Sequence, residues 1–459
     1  MKTYQFKGLL DNSDWIIPAF VRVDDEGRIL EVASSTSHPI SEAFDNYLIP
    51  GFQNAHSHAF QYAMAGLAER HATNQTPDDF WSWREAMYDL ALRIGPDDLE
   101  HIATMLYSEM LRHGYTHVAE FHYVHHEKNG EQFANLSEMG ERLVAAAKKV
   151  GIGITLVPIF YQKGGFGKAP NAGQIRFISA SKDDYLKLLE ASEQSTDLYQ
   201  HANLGIGIHS MRGVEPKVIA ELAANGPQDL PFHIHVSEQL KEIEDSIAYL
   251  GQRPVEWMLN NIEMNDRYHL VHATHLIDME TEGIAKSGAN VVLCPSTEGN
   301  LGDGIFPLRQ FQSLGGNWSI GTDSHIGINP LEELRILDYG QRLISHKRNT
   351  FYSTEEGDSG KYAIAMSWKA GRKAMNKKAV AYFEIGDYFN GVMIDAQVPL
   401  LANTRKEDLA STILYATDAA MLAGTFANGE LVVKAGQHRI QDQIRNDFNK
   451  TIKNLKNRS

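Results

Sequence analysis

Along the middle of the chain, short apolar runs alternate with longer stretches in which apolar residues recur every three or four positions. The runs at 48–56, 117–123, 152–160, 204–209, 232–236, 268–272, 290–293 and 318–322 read as strands. The segments between them have the amphipathic period of helices. Two of these, 98–113 and 136–150, end at Gly114 and Gly151, residues suited to a left-handed helix cap. Strand and helix alternating eight times is the rhythm of a (β/α)8 barrel.

Both ends of the chain read differently. Residues 1–48 alternate in short strands around Ile16-Ile17, 20–23 and 29–32, with a turn at Asp24-Asp25-Glu26-Gly27. Near the other end, 391–395 reads as a strand and 425–433 as a hairpin with an Asn428-Gly429 turn. The expected α/β architecture is therefore a barrel at 49–380, with a small β-sandwich assembled from 1–48 and 381–459. The second of those segments also carries a C-terminal helix. No internal repeat or low-complexity tract interrupts this pattern.

Composition narrows the function classes. The chain has 459 residues, 43% of them hydrophobic. No run approaches the roughly 20 apolar residues of a membrane span. The opening residues lack the apolar core of a secretory signal. A net charge of −15 and a pI near 5.7 argue against nucleic acid as a partner. Lys450, Lys453, Lys456 and Arg458 form a short basic end that reads as a solvated helix end. The sole cysteine, Cys294, excludes an intramolecular disulfide and fits a reducing cytoplasm. Histidine is abundant, with 20 residues, and several fall at strand ends, where a barrel builds its active site.

The first strand ends in His56-Ser57-His58, and residues two apart on a strand share a face. Alone, this pair reads equally well as solvated loop histidines. The fifth strand places His235 near its end, with Glu238 three residues later, and the sixth ends at His272. The eighth leads into Asp323. His56, His58, His235 and Asp323 make a three-nitrogen, one-oxygen set suited to a divalent ion, most naturally zinc, with a place left for water. Each piece also has a bland reading. A buried histidine is often a hydrogen-bonded core residue, a strand-end aspartate a helix cap, and Glu238 a solvent-facing carboxylate at a helix start.

In its strand-end histidines and aspartate, and in its β-rich flanks, the chain resembles the amidohydrolase superfamily. Members with two metals typically carry a bridging lysine at the end of the fourth strand. Here that strand ends Ile206-Gly207-Ile208-His209-Ser210-Met211-Arg212, and Lys163 follows the third strand instead. The resemblance thus implies one metal, of the mononuclear deaminase branch. Such an ion would lower the pKa of a water. Asp323 would take the water's proton, with His272 as base or electrostatic partner, and Glu238 would protonate the leaving nitrogen.

Substrate choice rests on other residues. Gln61 and the aromatic cluster Phe80-Trp81-Ser82-Trp83-Arg84 follow the first strand, Tyr123 closes the second, and His209 and Arg212 close the fourth. Two guanidinium groups suit carboxylates, which they bind bidentately. On the bland reading, Arg84 pairs with Glu85 or Asp89, and Arg212 with Glu215. The segments around His56–Gln61, Arg84 and Arg212 are similar to the formimidoylglutamate deiminase family, whose members release ammonia from N-formimidoyl-L-glutamate in histidine degradation. That resemblance implies that Gln61, Arg84, Tyr123, His209 and Arg212 hold a dicarboxylate substrate. Glu238 and His272 would act at the formimino carbon, and the enzyme would be a homodimer. Tyr62 departs from the pattern, which leads one to expect arginine there. Two rival readings remain: a mononuclear deaminase of a purine base or nucleoside, and a catalytically silent barrel serving as a scaffold. The first needs no arginine pair. The second usually loses metal ligands that are all present here.

Overall fold

The computed structural model describes residues 1–67, 69 and 80–457; the side chains of Phe80, Trp81 and Ser82, like Arg458, lie outside the described residues. Eight parallel strands follow one another in chain order: Phe52–Ser57, Tyr115–His122, Gly153–Phe160, Ile206–Ser210, Phe232–Val236, Tyr268–His272, Asn290–Leu293 and Asn317–Ile320. A three-residue strand, Ala202–Leu204, adds to the third. A bridge between Ser57 and Asp323 closes the ring, and the helix Ser359–Ala374 packs across the first and eighth strands at that seam. Every residue of the first, second and third strands is buried, as expected for a sheet wrapped in helices.

The first strand differs from its expected extent. Residues 48–50 belong to a separate strand, Glu42–Pro50, of the terminal sheet, and the barrel begins at Phe52. The break has a physical cause. Pro50 has no N–H to continue a ladder. A Cβ on Gly51 would lie 2.4 Å from Thr116 Cγ2, so only glycine lets the chain pass this close to the second strand.

The terminal segments form one nine-stranded sheet. Glu42–Pro50 runs parallel to Lys2–Leu10 and antiparallel to Gly391–Asp395, which joins the two ends of the chain. This sheet has its own core, with Tyr4 and Phe426 rings 5.1 Å apart and Phe6 and Phe44 rings 5.3 Å apart. The hairpin pairs Leu422–Ala427 with Glu430–Lys434, and Asn428 and Gly429 both take positive φ, as its two-residue turn requires. The helix Gln441–Lys456 ends the described chain. Among the described residues, no helix is long and apolar enough to cross a membrane.

Candidate active site

The imidazoles of His56, His58 and His235 converge at the carboxyl end of the barrel. His56 Nε2 lies 3.1 Å from His58 Nε2 and 3.0 Å from His235 Nε2. Asp323 Oδ1 is 3.2 Å from the His58 nitrogen and 3.5 Å from that of His56. Ligands about 2.05 Å from a tetrahedral ion stand roughly 3.3 Å apart, so these four atoms fit one such ion. His58 Nδ1 donates to the Phe121 carbonyl at 2.7 Å, which leaves its Nε2 lone pair facing the cluster. Burial holds His56 in the neutral form a metal requires, its pKa lowered to about 3, and lowers His235 in the same direction.

Glu120 braces this cluster from the second strand. Its carboxylate accepts from Ser57 Oγ and the Ala59 amide, each at 2.6 Å, and from the Tyr107 hydroxyl at 3.0 Å. The turn that carries both histidines is thus tied to the neighbouring strand. Burial raises the Glu120 pKa to about 7, and its hydrogen bonds only partly offset that rise.

Asp323 divides its oxygens between two tasks. While Oδ1 faces His56 and His58, Oδ2 stands 3.9 Å from His272 Nε2, and Glu238 Oε1 lies 3.8 Å from the same nitrogen. Burial alone would lower the His272 pKa. The carboxylates of Glu238, Glu298 and Asp323 outweigh it and raise the pKa to about 10. Ser237, His272 and Asp323, at the ends of three strands, have φ of 53°, 69° and 45°. Left-handed backbone is costly for residues with a Cβ and tends to persist at functional sites.

The residues expected to hold the metal, move protons or bind substrate, except the deeper His56, line one cavity. Asp89 is engaged by Arg93 at 2.5 Å, and Arg212 Nη2 lies 3.4 Å from Glu238 Oε2. Gln61, in the turn segment Ala59–Met64, donates to the Tyr123 hydroxyl at 2.9 Å. His209 stacks on the Tyr161 ring at 4.0 Å. The cavity widens outward past Arg84 and Arg212 into a vestibule of about 570 Å³ that also carries Lys168 and Lys241. Tyr62 turns away from the cavity and packs on Phe448 of the C-terminal helix, its ring 5.8 Å distant. That placement explains why this position can depart from the expected arginine.

Sequence reading overlooked Met87, Tyr88 and Tyr161, which also line the cavity. Gln174 joins the last two, donating to Tyr161 at 2.6 Å and to Tyr88 at 3.2 Å. One signal was available, since Tyr88 falls one helical turn after Arg84 and so shares its face. Nothing in the local pattern marks Gln174.

Comparison with known proteins gives consistent results. The chain is 39% identical over 435 residues to formimidoylglutamate deiminase of Pseudomonas aeruginosa, covering 95% of each chain. Its structure matches that of an amidohydrolase from Brucella melitensis with a TM-score of 0.93 and 37% identity, over 99% of this chain and 100% of that one. An adenosine deaminase from Xanthomonas campestris, solved with bound zinc, shares the fold at a TM-score of 0.81 and 18% identity, over 99% of this chain and 98% of its own. The model of the amidohydrolase family matches residues 47–432, from the last strand before the barrel to the terminal hairpin, and the chain belongs to that family.

Proposed function

We propose that this protein hydrolyses N-formimidoyl-L-glutamate to N-formyl-L-glutamate and ammonia, the reaction of histidine degradation for which its 39%-identical relative is named. The observation that carries this reading is the presence of Arg84 and Arg212 in the same cavity as Glu238, His272 and Asp323. Cations for two carboxylates thus stand beside groups able to move protons. Two guanidinium groups match the two carboxylates of the substrate, which they can bind bidentately, whereas a neutral purine offers no anion to either.

His56, His58, His235 and Asp323 would hold a single zinc ion, which when bound supplies Lewis acidity toward water. Asp323 Oδ2 takes a proton from the water whose oxygen bonds to the formimino carbon. Glu238 passes one proton to the formimino nitrogen as the water adds; the proton held by Asp323 and that of the new hydroxyl then supply the second and reprotonate Glu238, so that the C–N bond breaks with ammonia as the leaving group. His272, cationic between the two carboxylates, offsets their charge and steadies the oxygen that becomes the formyl carbonyl. Gln61 Oε1 has no hydrogen-bond partner among the described residues and is available to accept a substrate N–H. The test is ammonia release measured side by side with N-formimidoyl-L-glutamate, guanine and adenosine. Release from the first alone is expected, and release from the purines alone would overturn the assignment.

A further inference from the structure

The seventh barrel strand, Asn290–Leu293, contributes nothing to the functional set described so far. Immediately after it comes a short helix, Pro295–Leu301, carrying Glu298, which is 5% exposed and does not line the cavity. Glu298 Oε1 accepts the Cys294 amide at 2.9 Å and lies 3.3 Å from His272 Nδ1. The opposite edge of that imidazole is the one facing Glu238 and Asp323, at 3.8 and 3.9 Å. A carboxylate can only accept, so it requires the proton on Nδ1 and fixes which nitrogen is presented to the reaction. The need for such a hold is clear from the backbone. His272, the last residue of its strand, and Ala273 sit at φ of 69° and 49°, where the extended backbone breaks off and no longer dictates the ring's direction.

We propose that Glu298 is a positioning residue for this reaction: it grips the Nδ1–H of His272 and aims Nε2 between Glu238 and Asp323. The same oxygen that meets His272 is itself pinned by the Cys294 amide, so the hold is rigid at both ends. The inference rests on the proposed function insofar as His272 works at the formimino carbon. Orientation of a histidine by a carboxylate is a general device in catalytic and metal sites.

Three substitutions separate this role from a purely structural one. In Glu298→Gln, the side-chain carbonyl can accept both hydrogen bonds at the same place, so kcat per bound metal ion should stay within about fivefold of wild type. Glu298→Leu removes the acceptor and Glu298→Asp withdraws it by one methylene. In both, kcat should fall about 100-fold, with KM within about threefold and metal content unchanged. A crystal structure of Glu298→Leu should show the His272 ring turned away from Glu238 and Asp323. Should Glu298→Leu not fold, the contrast between Glu298→Asp and Glu298→Gln decides. Wild-type kcat in Glu298→Asp, a change confined to KM, or an unmoved ring would overturn the proposal. Failure of the wild-type protein to release ammonia would instead overturn the substrate assignment, while the ring orientation would still report on Glu298.

Discussion

The amide of Asp323 donates to the carbonyl of His56 at 3.0 Å, and the Asp323 carbonyl accepts from the amide of His58 at 3.2 Å. The first and last strands of the barrel are therefore stitched together by the residues whose side chains converge on the candidate metal site. Closure of the fold and assembly of that site are one event.

Metal removal should then affect stability as well as activity. Chelation is expected to abolish ammonia release and to lower the melting temperature, with both restored by added zinc. An ion present at a thousandfold excess over its Kd stabilises the folded state by about 4 kcal/mol. Chelated protein that retains full turnover would refute the metal assignment.

Arg84→Ala and Arg212→Ala should each lower kcat/KM by on the order of 1.5–3 kcal/mol or more, with metal content unchanged. The two should differ in kind. Because Arg212 contacts Glu238, its loss should reduce kcat as well, whereas Arg84→Ala should act mainly on KM. Steady-state kinetics on metal-loaded variants checks this, and equal splits in the two variants would speak against it.

Glu238→Gln keeps the shape of the side chain but removes its proton. The expected result is a fall of about 10²–10⁴ in kcat with the metal retained. Ammonia release beside elemental analysis measures both quantities.

Glu120→Ala deletes the acceptor shared by Ser57, Ala59 and Tyr107. Loosening of the turn between the two histidines should weaken metal affinity by about 10–100-fold. Competition with a zinc chelator would reveal it, and unchanged affinity would show that the brace is dispensable.

A pH effect on stability should arise at the far end of the barrel. His233 and His269 stack there with rings 4.8 Å apart, and His117 is buried on the second strand. Burial lowers the His233 pKa to about 4 and pushes His117 and His269 down as well. Between the folded value and the ordinary 6.5, the unfolded chain binds the proton and the folded one does not. Stability from this source is complete above about pH 6.5 and is lost as the pH falls toward 4. The loss is on the order of 3 kcal/mol for a residue such as His233. Thermal melts from pH 7.5 to 4.5, with replacement of His233 by Asn flattening the slope, test the assignment.

The barrel and the metal cluster were legible because their signals are local. A strand shows itself in its own residues, and His56 and His58 share a face by the period of that strand alone. Glu238 could be read from its spacing to His235. The contacts of Glu120 and Glu298 could not, since each depends on a partner from another strand end, 26 to 63 residues away. The break at Gly51 was hidden for a similar reason: it answers to Thr116, a residue of the next strand.

The strand Glu42–Pro50 pairs on one side with Lys2–Leu10 but on the other only with Gly391–Asp395. On a ribosome adding about 5–20 residues per second, that second partner arrives on the order of tens of seconds later, after the whole barrel has been synthesised. Until then this strand lacks its second partner, and an edge carrying Tyr47, Leu48 and Ile49 would be the kind of surface that recruits other strands. The last sheet to be completed is then the small terminal one, and a chaperone that shields this edge should raise the yield of active enzyme.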